Sequence, residues 1–254
     1  MNSAQEKRKS WRLWQSLDRQ PFEGDPSTWP VSSASAVTIG LDFGFAQDHS
    51  AIAVVMEFGW QGRAIHAVPE VIRFSLQTPA SDVVDKTCRV VQKWTRPRGR
   101  PQVVVDARSN IPFFEQLIRS GITPVPVGVS ATAAEVHAAE PRVIRVPVDG
   151  RQRPGLIYHL SRNQLVDDRN AKIEARALQI TRVGDAGFLR VEMSALEREV
   201  TKARNIRYTT PAGAHDDCLM ALCYALWGIA VLPRHRPRPR AVRGKPRFTA
   251  SAWT

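Results

Sequence analysis

Residues Ala214-His215-Asp216-Asp217-Cys218-Leu219-Met220-Ala221-Leu222 place two adjacent carboxylates at the start of an apolar run long enough to be a helix. One acid at such a position is an ordinary N-cap, because its oxygen accepts from the unpaired first-turn amides. One cap needs one carboxylate, so the second asks for another explanation. Two further aspartates sharpen the question. Asp42 closes Val37-Thr38-Ile39-Gly40-Leu41-Asp42, and Asp106 closes Val103-Val104-Val105-Asp106. Each of these alone reads as a turn or capping residue. Together they are acids brought from two strand ends and one helix start, an oxygen-rich donor set that suits Mg²⁺ or Mn²⁺.

Composition bounds the rest. The 254 residues are 43% hydrophobic, enough for one sizeable domain with its own core. The formal charge of +12 favours a polyanionic partner, since Lys and Arg gain affinity by displacing counterions from phosphates. Part of it lies in the tail, where Arg234, Arg236, Arg238, Arg240, Arg243, Lys245 and Arg247 occur without an acid among them. The remainder is still basic. Three cysteines, Cys88, Cys218 and Cys223, without C-x-x-C spacing, argue against a disulfide framework or a zinc site and for a reducing compartment. No apolar run reaches the ~18 to 20 residues a bilayer span needs, and the N-terminus lacks a signal-peptide core, so a soluble, unexported protein is expected.

Along the chain, residues 1–36 read as an N-terminal arm with a short amphipathic helix at 10–17, residues 37–232 as one domain, and residues 233–254 as a basic Arg/Pro-rich tail expected to be disordered. Strands are expected at 37–41, 50–56 and 64–74 as a meander, then a helix from about 80 to 94, a strand at 102–105, a helix over 111–120 with Pro112 in its first turn, and a strand at 123–129. Prolines at 141, 147 and 154 mark an edge strand or loop. A helix is expected at 161–177, then a hairpin of 178–183 with 188–191 about a Gly184-Asp185-Ala186-Gly187 turn, a helix at 194–204, and a last helix at 215–231. A meander followed by β-α units gives an α/β fold, a mixed β-sheet flanked by helices of ribonuclease H-like topology.

At this point the chain resembles the nuclease domain of the phage terminase large subunit. The residues that carry the likeness are Gly40-Leu41-Asp42-Phe43-Gly44 with Asp48-His49-Ser50-Ala51, Val104-Val105-Asp106, Asn163-Gln164-Leu165-Val166, and Gly213-Ala214-His215-Asp216-Asp217. The resemblance implies a metal-dependent endonuclease that cleaves double-stranded DNA during packaging in a bacterial host, through a two-metal site of Mg²⁺ or Mn²⁺. Asp42, Asp106, Asp216 and Asp217 become the expected catalytic residues and metal ligands, with Asp42 bridging and one of Asp216 and Asp217 supporting. Asp48 and His215 are accessory candidates. Arg108, Arg162, Lys172, Lys202 and Arg204 are expected to contact DNA phosphates. Arg162 stands where the family tends to have a Lys near Asn163, which keeps the charge and changes its geometry. No G-x-x-x-x-G-K-[ST] loop occurs in the sequence, so a packaging ATPase, like a portal protein, would be a separate partner. Alternatives that stay open are a junction-resolving nuclease of the same fold and a silent DNA-binding or assembly module. An actin-like ATPase fits less well, because a second phosphate hairpin is missing.

If the tail binds phosphates, deleting residues 233–254 weakens binding to duplex DNA and flattens its dependence on salt, by about 0.9 in log–log slope for each phosphate the tail neutralises. Fluorescence anisotropy across a salt series measures it, and an unchanged slope would show that the tail does not touch DNA.

Overall fold

The computed structural model describes residues 24–44, 48–97, 99–106, 111–130, 142–148, 151–200 and 206–232. Three strands open the domain: β1 (Ala36–Asp42), β2 (Ala51–Trp60) and β3 (Arg63–Arg73) form an antiparallel meander. The β2–β3 turn is tight because Gln61 and Gly62 both take positive φ, 45° and 77°, the twist that suits a two-residue hairpin. Then follow α1 (Ala80–Lys93), β4 (Gln102–Asp106), α2 (Ile111–Arg119) and β5 (Pro124–Ser130). A hairpin of β6 (Arg142–Val148) and β7 (Arg151–Ser161) leads into α3 (Arg162–Glu174), β8 (Leu178–Ile180) and α4 (Ala186–Ala195). A ribbon of β9 (Glu197–Val200) and β10 (Ile206–Thr209) precedes the last helix, α5 (Asp217–Val231).

Among the described residues, eight strands form one mixed sheet in the order β6-β7-β5-β4-β1-β2-β3-β8, and β9 pairs with β10 apart from it. The centre of this sheet is buried on both faces. In β2, Ala51, Ala53 and Val55 pack with α3, α4 and α5, while Ile52, Val54 and Met56 pack with α1 and α2. Such two-sided burial explains why the central strands read as continuous apolar runs. The edge position of β6 accommodates Pro147, which has no amide to give to a further strand.

The sequence of α5 is apolar on all sides, as expected of a helix enclosed by protein. From Asp217 to Ile229 every residue is buried. It lies directly on β1: a Cβ at Gly40 would fall 1.8 Å from the Ala221 carbonyl oxygen and 2.7 Å from the Ala225 amide. The contact is reciprocal, since a Cβ at Gly228 would meet Val104 at 2.7 Å and Thr38 at 2.8 Å. At Gly40 backbone meets backbone, and at Gly228 the helix makes room for the Val104 and Thr38 methyl groups.

Residues 24–35 pack on the rim of this sheet. The Asp25 carboxylate accepts from the Thr181 hydroxyl, from the Arg182 amide at 2.7 Å and from the Ser27 amide at 2.9 Å. Burial pushes this acid up, but the three donors outweigh it and hold the carboxyl well below its usual range. Trp29 sits edge-on to Phe58 with centroids 5.3 Å apart. The expected helix at 10–17 and the tail lie outside the described residues, as does most of the arm.

Two sequence expectations are overturned. Residues 188–191 belong to α4 rather than to a hairpin strand, and the expected helix over 194–204 is replaced by strand β9 as far as Val200, with 201–205 outside the described residues. A four-residue apolar run fits either period. Here the longer spacing of Ala186, Leu189 and Met193, all buried, set the helix. Gly184-Asp185, read as a hairpin turn, is the entry to that helix.

Gly40→Ala has no side-chain movement to relieve it, because the obstructing atoms are backbone. We expect the variant to lose stability by several kcal/mol, beyond the usual range for a single substitution, and to unfold far below the wild-type melting temperature or accumulate insoluble. A melting temperature within about 2–3 °C of wild type, a shift worth no more than ~1 kcal/mol, would show that α5 can lift from β1.

Candidate active site

Strand register brings the acids together. β1 and β4 run parallel with Gly40 opposite Val104 and Leu41 opposite Val105. Asp42 and Asp106 are the next residue on each strand, side by side and facing α5. Along β1 the step from Gly40 to Asp42 is about 6.6 Å. Along α5 the step from Ala221 back to Asp217 is about 6 Å. The two elements run in opposite senses across the Gly40 contact, so strand end and helix start arrive at the same place.

A cleft of about 240 Å³ opens there, lined by Asp42, Phe43, Gly44, Asp48, Ala214, His215, Asp216 and Asp217. Asp106 is half-buried beside it and accepts from the Tyr224 hydroxyl at 3.4 Å. Asp42 is half-buried on the cleft wall. Its carboxyl is pushed well above the usual range, first by burial and then by Asp217, Asp106 and Asp216, with Arg162 opposing. Asp217 is also raised, by burial and then by Asp216, against the pull of His215. Its Oδ2 is buried without a hydrogen bond among the described residues; His215 Nδ1 lies 3.7 Å away.

The two adjacent aspartates have different neighbours. Asp216 is paired with the Arg162 guanidinium and accepts from the Thr210 hydroxyl at 2.6 Å, and Thr210 in turn accepts from Arg162 at 3.2 Å. Asp217 lines the cleft with Asp42 and has His215 beside it. Asp216, at the N-cap, makes no side-chain capping bond among the described residues. That duty falls to Glu192 on α4, whose Oε2 accepts from the Leu219 amide at 2.8 Å. Burial pushes Glu192 up to about 7 even so, with the Leu219 amide opposing and Asp217 adding to the rise.

The β1–β2 connection shapes the mouth. Gly44 leaves room for the chain to cross, since a Cβ there would fall 2.4 Å from the Asp48 carbonyl oxygen and 2.5 Å from that of His49. Asp48 is exposed on the cleft. His49 donates through Nδ1 to the Phe74 carbonyl at 2.7 Å, which fixes its tautomer, and its ring meets His215 edge-on at 4.8 Å.

Of the residues expected to touch DNA, Arg108, Lys202 and Arg204 lie outside the described residues. Lys172 is half-exposed near the end of α3, about 15 Å along the helix from Arg162. Arg162 is engaged with Asp216. The sequence reading missed Glu192, Thr210 and Tyr224. Glu192 had a signal, a lone acid in the apolar spacing of α4, but the hairpin reading hid it.

Among the described residues, no three His, Cys, Asp or Glu side chains are grouped closely enough to form a ready ligand cage. No helix of the described residues is long and apolar enough to cross a membrane.

The repulsion has a pH signature in the ion-free protein. The carboxyls of Asp42 and Asp217 are raised on folding, so they oppose stability least when protonated, below their unfolded value near 4, and increasingly as pH climbs through their folded values. In EDTA, Asp42→Asn should therefore raise the melting temperature by several degrees at pH 8 and by much less at pH 4, each kcal/mol being worth about 2–4 °C in a domain of this size. Asp216→Asn, which breaks the pair with Arg162, should lower it at pH 8. Calorimetry at the two pH values decides; an Asp42→Asn gain that is equal at both would rule out charge repulsion as its source.

No protein-family model matches the sequence, and no curated protein matches it. Solved structures do. The large terminase nuclease from thermophilic phage G20c superposes with a TM-score of 0.53 at 19% identity, over 84% of this chain and 96% of that one. The human cytomegalovirus terminase nuclease domain gives 0.51 at 9% identity, over 85% and 93%. Against the HK97 bacteriophage large terminase the score is 0.50 at 10% identity, over 85% of this chain and 42% of that longer one. At these identities the likeness is one of fold, and the chain has the ribonuclease H-like fold of terminase large-subunit nuclease domains.

Proposed function

We propose that this protein is a metal-dependent endonuclease acting on double-stranded DNA, of the terminase type. The observation that carries the reading is the convergence of Asp42, Asp106, Asp216 and Asp217 from two strand ends and one helix start, with Asp42 raised by burial and then by the other three. Such mutual repulsion is costly unless positive charge relieves it. The fold comparisons support it: the G20c nuclease has also been solved with bound magnesium, and that structure superposes at a TM-score of 0.53. The basic charge of the chain suits a phosphate backbone.

The donor set fits Mg²⁺ or Mn²⁺. All four acids offer oxygen, the ligand these ions prefer, and the Asp217 Oδ2 is buried without a hydrogen bond among the described residues. Asp42, Asp106 and Asp217 would hold the ions. Bound cations would supply the charge that lets these acids ionise together and that offsets the phosphodiester during hydrolysis. Asp216 would act from behind, tied to Arg162 and Thr210 so that the turn before α5 stays in place. His215 stands at the mouth near Asp217, able to orient water or a phosphate oxygen. Lys172, Arg108, Lys202 and Arg204 would hold the duplex without reading its sequence. A packaging ATPase and a portal protein are the partners this reading calls for.

The test is nicking and linearisation of supercoiled plasmid by the purified protein with Mn²⁺, Mg²⁺ or EDTA. Asp42→Asn is expected to abolish cleavage while DNA binding survives, because the acid serves chemistry more than affinity. Asp216→Asn should retain a reduced rate, down about 10- to 100-fold, as for a group that orients a ligand. Full cleavage by a pure Asp42→Asn preparation, or cleavage unaffected by EDTA, would end the proposal.

A further inference from the structure

A helix start leaves its first amides without intrahelical partners, and a buried start must find acceptors for them. In α5 the two obvious acceptors do other things: Asp216 pairs with Arg162 and Thr210, and Asp217 lines the cleft with Asp42, its Oδ2 taking no hydrogen bond among the described residues. The Leu219 amide donates instead to Glu192, which lies 27 residues earlier on α4 and is 4% exposed. The rest of the buried face of α4 is Ala186, Leu189 and Met193. A carboxylic acid in that row goes against burial, and its Oε2 is spent on the first turn of α5.

We propose that Glu192 is a positioning residue: by capping the start of α5 from a neighbouring helix, it releases both Asp216 and Asp217 from capping and holds the first turn of α5, and with it the Asp217 carboxylate, in place on the cleft. The proposal rests on the metal-dependent reading above for its consequence, and on the Leu219 contact for its geometry. It assigns Glu192 no contact with substrate or metal. What the site needs from it is an acceptor oxygen at the Leu219 amide, not a negative charge.

Glutamine supplies that oxygen and methionine fills the same space without it, so Glu192→Gln and Glu192→Met separate the two requirements while leaving no cavity. Leu189→Ala, on the same buried face one turn away, controls for loss of packing alone. Three quantities are compared: exchange of the Leu219 amide by mass spectrometry or NMR, Mn²⁺ binding by calorimetry, and plasmid cleavage split into kcat and KM.

Glu192→Gln is expected to keep the Leu219 amide protected and Mn²⁺ affinity within about threefold of wild type, as for an acceptor exchanged rather than removed. Glu192→Met should speed Leu219 exchange about tenfold, weaken Mn²⁺ binding by about 10- to 100-fold and lower kcat with little change in KM for DNA. Leu189→Ala should lower the melting temperature without a selective loss of Mn²⁺ affinity. The proposal is overturned if Glu192→Met binds Mn²⁺ as wild type does, if Glu192→Gln fails as badly as Glu192→Met, or if Leu189→Ala reproduces the Mn²⁺ defect. Wild-type protein that binds no Mn²⁺ would sink the nuclease reading instead, and Leu219 exchange in the same variants would still decide whether Glu192 caps α5.

Discussion

The backbone contact between Gly40 and α5 is the constraint on which the domain turns. Side chains on both surfaces normally hold a helix and a sheet apart, and Gly40 with Gly228 removes that spacer at two points along one helix. The approach fixes the height of α5 above the sheet and its sliding position along β1. Because strand and helix rises nearly match over this distance, Asp42 and Asp217 are brought level by geometry rather than by attraction, which between two acids would be absent. The same helix reaches Asp106 through Tyr224. A single core helix thus touches or carries every acid of the site.

Division of labour among the carboxylates follows. Asp216 is satisfied by a cation and a hydroxyl, Asp106 has a phenol, and Asp42 and Asp217 are left to repel one another. Destabilising groups persist in folded proteins where the surroundings over-determine them. Here the surroundings are the close-packed helix, the Gly44 crossing that seats Asp48 and His49, and the cap from Glu192. The stability of the core and the strain of the site are therefore two aspects of one helix.

How far this could be read from the chain depended on whether a residue's partner was near in sequence. The meander, α1, β4, α2, β5 and α5 were legible because continuous apolar runs and turn residues announce them locally. Asp42, Asp106 and the Asp216-Asp217 pair were legible because acids at the ends of apolar runs are costly without cause. Residues 186–200 were misread, since a short apolar run fits either period and only burial against α5 decides it. The tie of Arg162 to Asp216 spans 54 residues and that of Glu192 to Leu219 spans 27. No local pattern encodes either. Arg162 was read as a cation for DNA, and its pairing with Asp216 was not foreseen.

The acid cluster also sets the sign of the electric field at short range against that at long range. A chain carrying +12 overall draws a polyanion toward it from beyond the roughly 8–10 Å over which salt screens charge. Within the cleft, the carboxyl groups of Asp42, Asp48, Asp216 and Asp217 oppose that field over the last few ångströms. Attraction and repulsion are thus sorted by distance, and if the polyanion is DNA its backbone would be captured on the surface yet held off the cleft floor. On the proposed reading, adsorption and entry would be separate events, governed by different residues and by different ions in solution: monovalent salt would weaken the first, while cations held among the acids would lower the barrier to the second.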